Sequence, residues 1–201
     1  MDTYKCDYHM HSKYSDGKLS PGQLVSRYKN EEYDIIALTD LLSIDGIKEF
    51  LAACEAVKVR GIAGVELPTD FCFNGKDHEI HILGYNFDPE SELITSTLKD
   101  LRSGIRHRLE TSEAIGIISE AGGQAFMAHP VRIDSLEGRG TEAFWKEFEE
   151  ILKELRKKGL KGLECIYPEH TEEEEYRFIQ LAGKYHLHVS SGTGFTGDEM
   201  K

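Results

Sequence analysis

The sequence predicts an α/β fold, a distorted seven-stranded (βα)7 barrel of the TIM-like kind, and three observations lead there. Short apolar segments alternate with longer amphipathic ones from end to end, the pattern of a parallel sheet covered by helices. About seven such repeats fall within 201 residues, which favours a sheet closed or nearly closed on itself. Histidines and acids recur at the ends of several predicted strands, and in parallel barrels the chemistry gathers at the C-terminal strand ends.

The first strand covers residues 4–10 and runs into Asp7-Tyr8-His9-Met10-His11. Alternate side chains of a strand share a face, so His9 and His11 point the same way with Asp7 beside them. Ser20-Pro21 then opens a helix, a capping residue followed by proline at the first helical position. A strand at 34–38 and a helix at 44–59 follow. Strand character returns at 61–66, 70–73 and 79–84, and residues 91–121 read as an amphipathic helix with a break. The remainder alternates: strand 124–127, helix 142–157, strand 162–166, helix 171–184 and strand 187–190. The acidic run Glu172 to Glu175 suits the first turn of its helix, where the macrodipole favours carboxylates.

A chain of this length supports one substantial core, so residues 1–201 are expected to form a single domain. The net charge of −12 argues against a general nucleic-acid partner or a membrane surface, both of which repel a strongly negative body. Cys6, Cys54, Cys72 and Cys165 are scattered without a Cys-x-x-Cys pair, which indicates neither a disulfide framework nor a zinc knuckle. No apolar run is long enough to span a membrane and no signal-peptide core precedes the first strand. The expectation is a cytoplasmic protein with a small-molecule substrate.

The strand ends supply His9, His11 and Asp16, then Thr39-Asp40, Glu66, His81, His129, Glu164 within its strand, and the glycine-rich run from Gly192 to Gly197. Imidazoles and carboxylates brought to one edge are the donor set of a divalent metal that accepts nitrogen and oxygen. Arg102, Arg106, Arg132 and Arg139 are candidate phosphate contacts, with Arg106 and Arg132 preferred. His78 and His107 match no motif, although His78 is close enough to His81 to be a minor candidate; the pair His186-x-His188 mimics a ligand pair at the start of the last strand but reads as surface or core, and Tyr85 and Trp145 read as core.

In this order the residues resemble the PHP (polymerase and histidinol phosphatase) family of metal-dependent phosphoesterases. The likeness rests on Asp7-Tyr8-His9-Met10-His11-Ser12, Ser15-Asp16-Gly17, Thr39-Asp40, Ile44-Asp45-Gly46, Gly64-Val65-Glu66, the His81 stretch, Ala121-Gly122-Gly123 leading to Ala128-His129-Pro130, and Gly162-Leu163-Glu164. It implies a distorted barrel and a cluster of manganese, iron or zinc ions that activates water against a phosphate ester. It also implies catalytic roles for Glu66, His129 and Asp16. The helical insertion common in similar members is largely missing, since Arg102, Arg106 and Arg108 lead almost directly to Thr111. The chain also stops four residues after Gly197, as a C-terminally trimmed member would.

Three positions depart from the family pattern. Leu41 and Thr196 stand where histidines are usual, and Gly194 where an aspartate is usual. The resemblance therefore implies loss of the ion that would use Asp16 with positions 41 and 196. His9, His11 and Glu66 would hold a second ion less one carboxylate, and Glu66, His81 and His129 would hold a third intact. One or two ions, or none, are expected. The flanks of the altered positions remain intact, which points to a repurposed pocket, by evolution or by engineering, with Leu42, Pro68 and Phe195 as apolar wall. Three functions follow: a residual phosphoesterase of weak or absent activity, a pocket for a small non-phosphate molecule, or a non-catalytic metal-binding relative. Restoring histidine at 41 and 196 together with aspartate at 194 is expected to raise metal uptake.

Overall fold

Over residues 4–197, the part described by the computed structural model, the chain alternates strands and helices. In order these are β1 (Cys6–Met10), α1 (Pro21–Asn30), β2 (Ile35–Leu38), α2 (Ile47–Val57), β3 (Arg60–Phe73), β4 (Lys76–Tyr85) and α3 (Glu92–Arg102). Then come β5 (Leu109–Glu110), α4 (Thr111–Glu120), β6 (Gln124–Met127), α5 (Glu142–Lys157), β7 (Gly162–Ile166), α6 (Glu172–Lys184) and β8 (His188–Ser191). The sheet order is β1-β2-β3-β4-β6-β7-β8, with the short β5 on β3. Closure comes from the segment after β8, where the Gly194 N–H donates to the His9 carbonyl and the His11 N–H to the Phe195 carbonyl, each at 2.8 Å. The result is the nearly closed, barrel-shaped sheet expected from the alternation.

The sheet is not parallel throughout. β4 runs antiparallel to both β3 and β6, and β3 is one unbroken strand where two were expected. The reason lies in Asn74-Gly75, whose φ angles of 50° and 77° form the tight left-handed turn that joins twisted strands. His81 therefore does not close a parallel strand. It faces Pro68 across the hairpin, two pairs from Glu66, which pairs with Leu83. The stretch 91–121 divides into α3 and α4 around β5.

Local chemistry explains the helix starts. Ser20 and Gln23 form a reciprocal capping box on α1, with Pro21 next to the cap, and Thr171 and Glu174 do the same for α6. The larger core joins the β3–β4–β6–β7 side to the outer helices and includes Ile80, Ile82, Phe148, Leu152 and Phe178. Phe148 is fully buried among Phe144, Trp145 and Phe178, and truncating such a ring costs about 3–5 kcal/mol. A smaller core of Met10, Leu24, Ile36, Phe50 and Phe195 seats α1 and α2 on the first strands. No helix among the described residues is long and apolar enough to cross a membrane.

Candidate metal centre

Glu66 of β3 is the hub of the site. It is 3% exposed, and four imidazoles converge on its carboxylate. Oε2 lies 3.4 Å from His9 Nε2 and 3.2 Å from His11 Nε2. Oε1 lies 2.7 Å from His81 Nδ1 and 3.1 Å from His129 Nε2. The pleat of β1 presents His9 and His11 together, β4 delivers His81 from the facing strand, and His129 enters from the bend after β6. That bend places His129 at φ 20° and ψ 67°, a sparsely populated conformation held by its surroundings.

A second carboxylate supports the first. Glu164 on β7 has no exposure. Its Oε1 is 3.0 Å from His9 Nδ1, and its Oε2 accepts the His129 backbone N–H at 2.7 Å. Nδ1 of His9 is thereby engaged, leaving Nε2 turned to the cluster. Asp7 plays a structural part: its carboxylate accepts from Tyr28 Oη at 2.7 Å, Thr193 Oγ1 at 2.6 Å and the backbone N–H of His9 at 3.0 Å. Burial pushes its pKa up against those bonds. Asp40 clamps the loop after β1 through the Ser12 N–H and Ser12 Oγ at 2.6 Å each and Ser15 Oγ at 2.7 Å.

The electrostatics follow from crowding charges in a dry place. Burial disfavours a charge on His9, yet Glu164 and Glu66 outweigh it and hold its pKa well above the ordinary value. Burial would raise Glu66, but His9, His129 and His81 together hold it well below the carboxylate range. At His129 burial prevails and the pKa falls.

The remaining predicted site residues have mixed placements. Asp16 contacts the outer nitrogen of His11 at 3.0 Å and its side chain is 56% exposed; the His11 contact lowers its pKa. Leu41 forms a bridge beside Glu66, so that position does border the cluster. Leu42, expected as pocket wall, packs against the larger core with φ at 53°. Phe195, also expected as wall, is 4% exposed in the smaller core under Arg27. Pro68 pairs with His81. Thr196 accepts the Lys18 N–H through its carbonyl. Gly194 sits at φ 60° with its Cβ direction 2.6 Å from Tyr167 Oη, so the expected return of an aspartate there meets the phenol. Arg106 is paired with Glu113 of α4. Arg132 holds Glu169, lies 5.1 Å over the Tyr167 ring, and lines an open depression of about 550 Å³ with His81, His129, Glu79 and Asp134.

Glu79, Arg108 and Tyr167 were missed from sequence. Glu79 Oε1 is 3.2 Å from His81 Nε2, and Arg108 holds Glu79 at 2.6 Å and Asp70 at 2.9 Å. The two-residue spacing of Glu79 and His81 on one strand face was the available signal.

The donor set fits divalent metal. His9, His11 and Glu66 form one group, and Glu66, His81 and His129 another, each with ligand atoms within 4.8 Å of one another. Four imidazole nitrogens around one carboxylate, two in each group, suit manganese, iron or zinc better than magnesium or calcium, which prefer oxygen. The profile of a family described as the PHP domain matches residues 7–167. The chain belongs to the PHP domain family. Among relatives, a 3',5'-nucleoside bisphosphate phosphatase of Chromobacterium violaceum is 23% identical over 257 aligned positions, covering 94% of this chain and 86% of the relative. A 5'-3' exoribonuclease of Haemophilus influenzae is 39% identical over 101 residues, 50% of this chain and 35% of the relative. The chain thus matches about a third of that enzyme's length. A solved structure from Bifidobacterium adolescentis, described as a metal-dependent phosphoesterase, superposes with a TM-score of 0.79 at 18% identity, covering 100% of this chain and 91% of that one. The PHP chain therefore has the scaffold of the metal-dependent phosphoesterases.

Proposed function

We propose that the chain is a phosphate-ester hydrolase that works with at most two divalent ions. The observation that carries this reading is the convergence of His9, His11, His81 and His129 on the single buried carboxylate of Glu66. His9, His11 and Glu66 would hold one ion, and Glu66, His81 and His129 the other. When bound, such ions neutralise phosphate charge and make water nucleophilic near neutral pH. Asp16, ionised and open to solvent on the outer nitrogen of His11, would orient that imidazole towards the ion. Arg132 on the rim of the depression orients the anion.

Leu41, Gly194 and Thr196 add no carboxylate or imidazole, so the cluster is incomplete and ordinary esters should turn over slowly. Losing one ion's worth of charge stabilisation costs roughly a thousandfold in rate. The apolar-wall alternative loses support because Leu42 and Phe195 pack into the cores. The names of the two relatives make a nucleotide-borne phosphate the first substrate class to test, and the net charge of −12 disfavours a long polyanion. The protein is proposed to act in the cytoplasm on a small molecule.

The test is phosphate release from nucleoside monophosphates and bisphosphates by protein loaded with manganese, iron or zinc. Slow release that disappears in Glu66→Gln supports the reading. No release with any of the three metals, or release unaffected by Glu66→Gln, refutes it.

A further inference from the structure

Tyr167 is a polar group at the centre that takes no part in the proposed hydrolysis. It follows β7 and is 5% exposed. Its ring lies 5.4 Å from the His129 ring and 6.0 Å from the His9 ring, with the Arg132 guanidinium over it at 5.1 Å. Among the described residues its hydroxyl makes no hydrogen bond, although Asp7, Glu66 and Glu164 nearby are all satisfied. The ring is enclosed, but the hydroxyl itself reaches solvent and so is free to meet a ligand.

The chain also makes room for it. An ideal Cβ on Gly194 would stand 2.6 Å from Tyr167 Oη and 3.2 Å from Cε2. Any side chain at 194 would therefore displace the phenol. Glycine at 194 and tyrosine at 167 form one steric unit beside the imidazoles.

We propose that Tyr167 Oη is a specificity-determining donor that hydrogen-bonds a non-bridging oxygen of the phosphoryl group bound at the cluster. This rests on the phosphoesterase reading above. A phenol keeps its proton at neutral pH and so meets an oxyanion as a neutral donor. A carboxylate in the same place would repel that oxyanion. The surrounding arginines are already engaged, Arg132 by Glu169 and Arg139 by Glu174. The phenol thus supplies a contact that those guanidiniums share with acids of their own.

The experiment measures inorganic phosphate binding to the manganese-loaded full chain by titration calorimetry, alongside manganese affinity and thermal unfolding. Tyr167→Phe keeps the ring and removes only the hydroxyl. A hydrogen bond to a charged group corresponds to about a ten- to hundredfold loss of phosphate affinity, with manganese affinity unchanged. Gly194→Ala, which pushes a methyl into the phenol, should weaken phosphate binding as well. In the Tyr167→Phe background the same change should do less, because the two act on one contact.

Unchanged phosphate affinity in Tyr167→Phe overturns the proposal and leaves the phosphoesterase reading standing. Loss of manganese affinity together with phosphate affinity also overturns it, since Tyr167 would then act on the metal. Parent protein that binds manganese but no phosphate overturns both.

Discussion

Replacing Glu164 by glutamine should loosen the whole centre although Glu164 belongs to neither ligand group. Its carboxylate receives two donors, His9 Nδ1 at 3.0 Å and the His129 N–H at 2.7 Å, and it has no exposure. Glutamine keeps one acceptor oxygen and turns the other into an NH2 group, so one donor faces another donor. Hydrogen bonds to a buried charge are worth about 1.5–3 kcal/mol each, which gives a loss of about 2–4 kcal/mol. For a chain of this size that lowers the melting temperature by roughly 5–15 °C. Because His9 and His129 lose their orientation together, divalent-metal affinity should fall about 10- to 100-fold. Differential scanning calorimetry of the metal-free protein and titration calorimetry with manganese measure the two effects. A variant that melts with the parent and binds manganese equally well would refute the orienting role of Glu164.

Further expectations concern other parts of the structure. Gly192→Ala should abolish metal uptake, because its Cβ would lie 2.2 Å from Glu164 Oε1 and 2.3 Å from His9 Cβ; elemental analysis of the folded variant checks this. Glu174 caps α6 and holds Arg139, which lowers its pKa from 4.5 to about 2. A depressed carboxyl pKa gives stability that is full above pH 4.5 and is lost as pH falls towards 2. Arg139 is 44% exposed, so screening reduces this contribution to about 1–2 kcal/mol. Urea unfolding of Glu174→Gln should show that deficit at pH 6 and little of it near pH 2.5. Leu41→His with Thr196→His should raise metal uptake, whereas adding Gly194→Asp should cost about 1–3 kcal/mol of stability through its φ of 60° and the Tyr167 contact. Metal analysis and melting curves separate those effects.

The readable parts of the sequence were those set by local patterns. Thr141 caps α5, and Phe144, Phe148, Ile151 and Leu155 recur at helical spacing, so the helix at Glu142–Lys157 has the predicted bounds. His9 and His11 show their common face through the two-residue period of a strand. Glu66, His81 and His129 carried family motifs, and the fold brings all three to one point. The direction of β4 was missed although Asn74-Gly75 signalled a hairpin. Glu164 could not be assigned from its strand alone, because its role needs β1, β6 and β7 side by side. Tyr167 becomes visible only against the space left by Gly194. Leu42 and Phe195 read as pocket wall because their neighbours were pocket residues, and only packing turned them towards the cores.

The central claim is that Glu66 and its four histidines form a metal centre. Elemental analysis of protein stripped with chelator, reloaded with manganese, iron or zinc, and desalted tests it most directly. The two groups sharing Glu66 predict no more than two ions per chain, falling to none in Glu66→Ala and to at most one in His81→Ala with His129→Ala. A parent protein that retains no metal, or a Glu66→Ala protein that retains as much as the parent, would contradict the account.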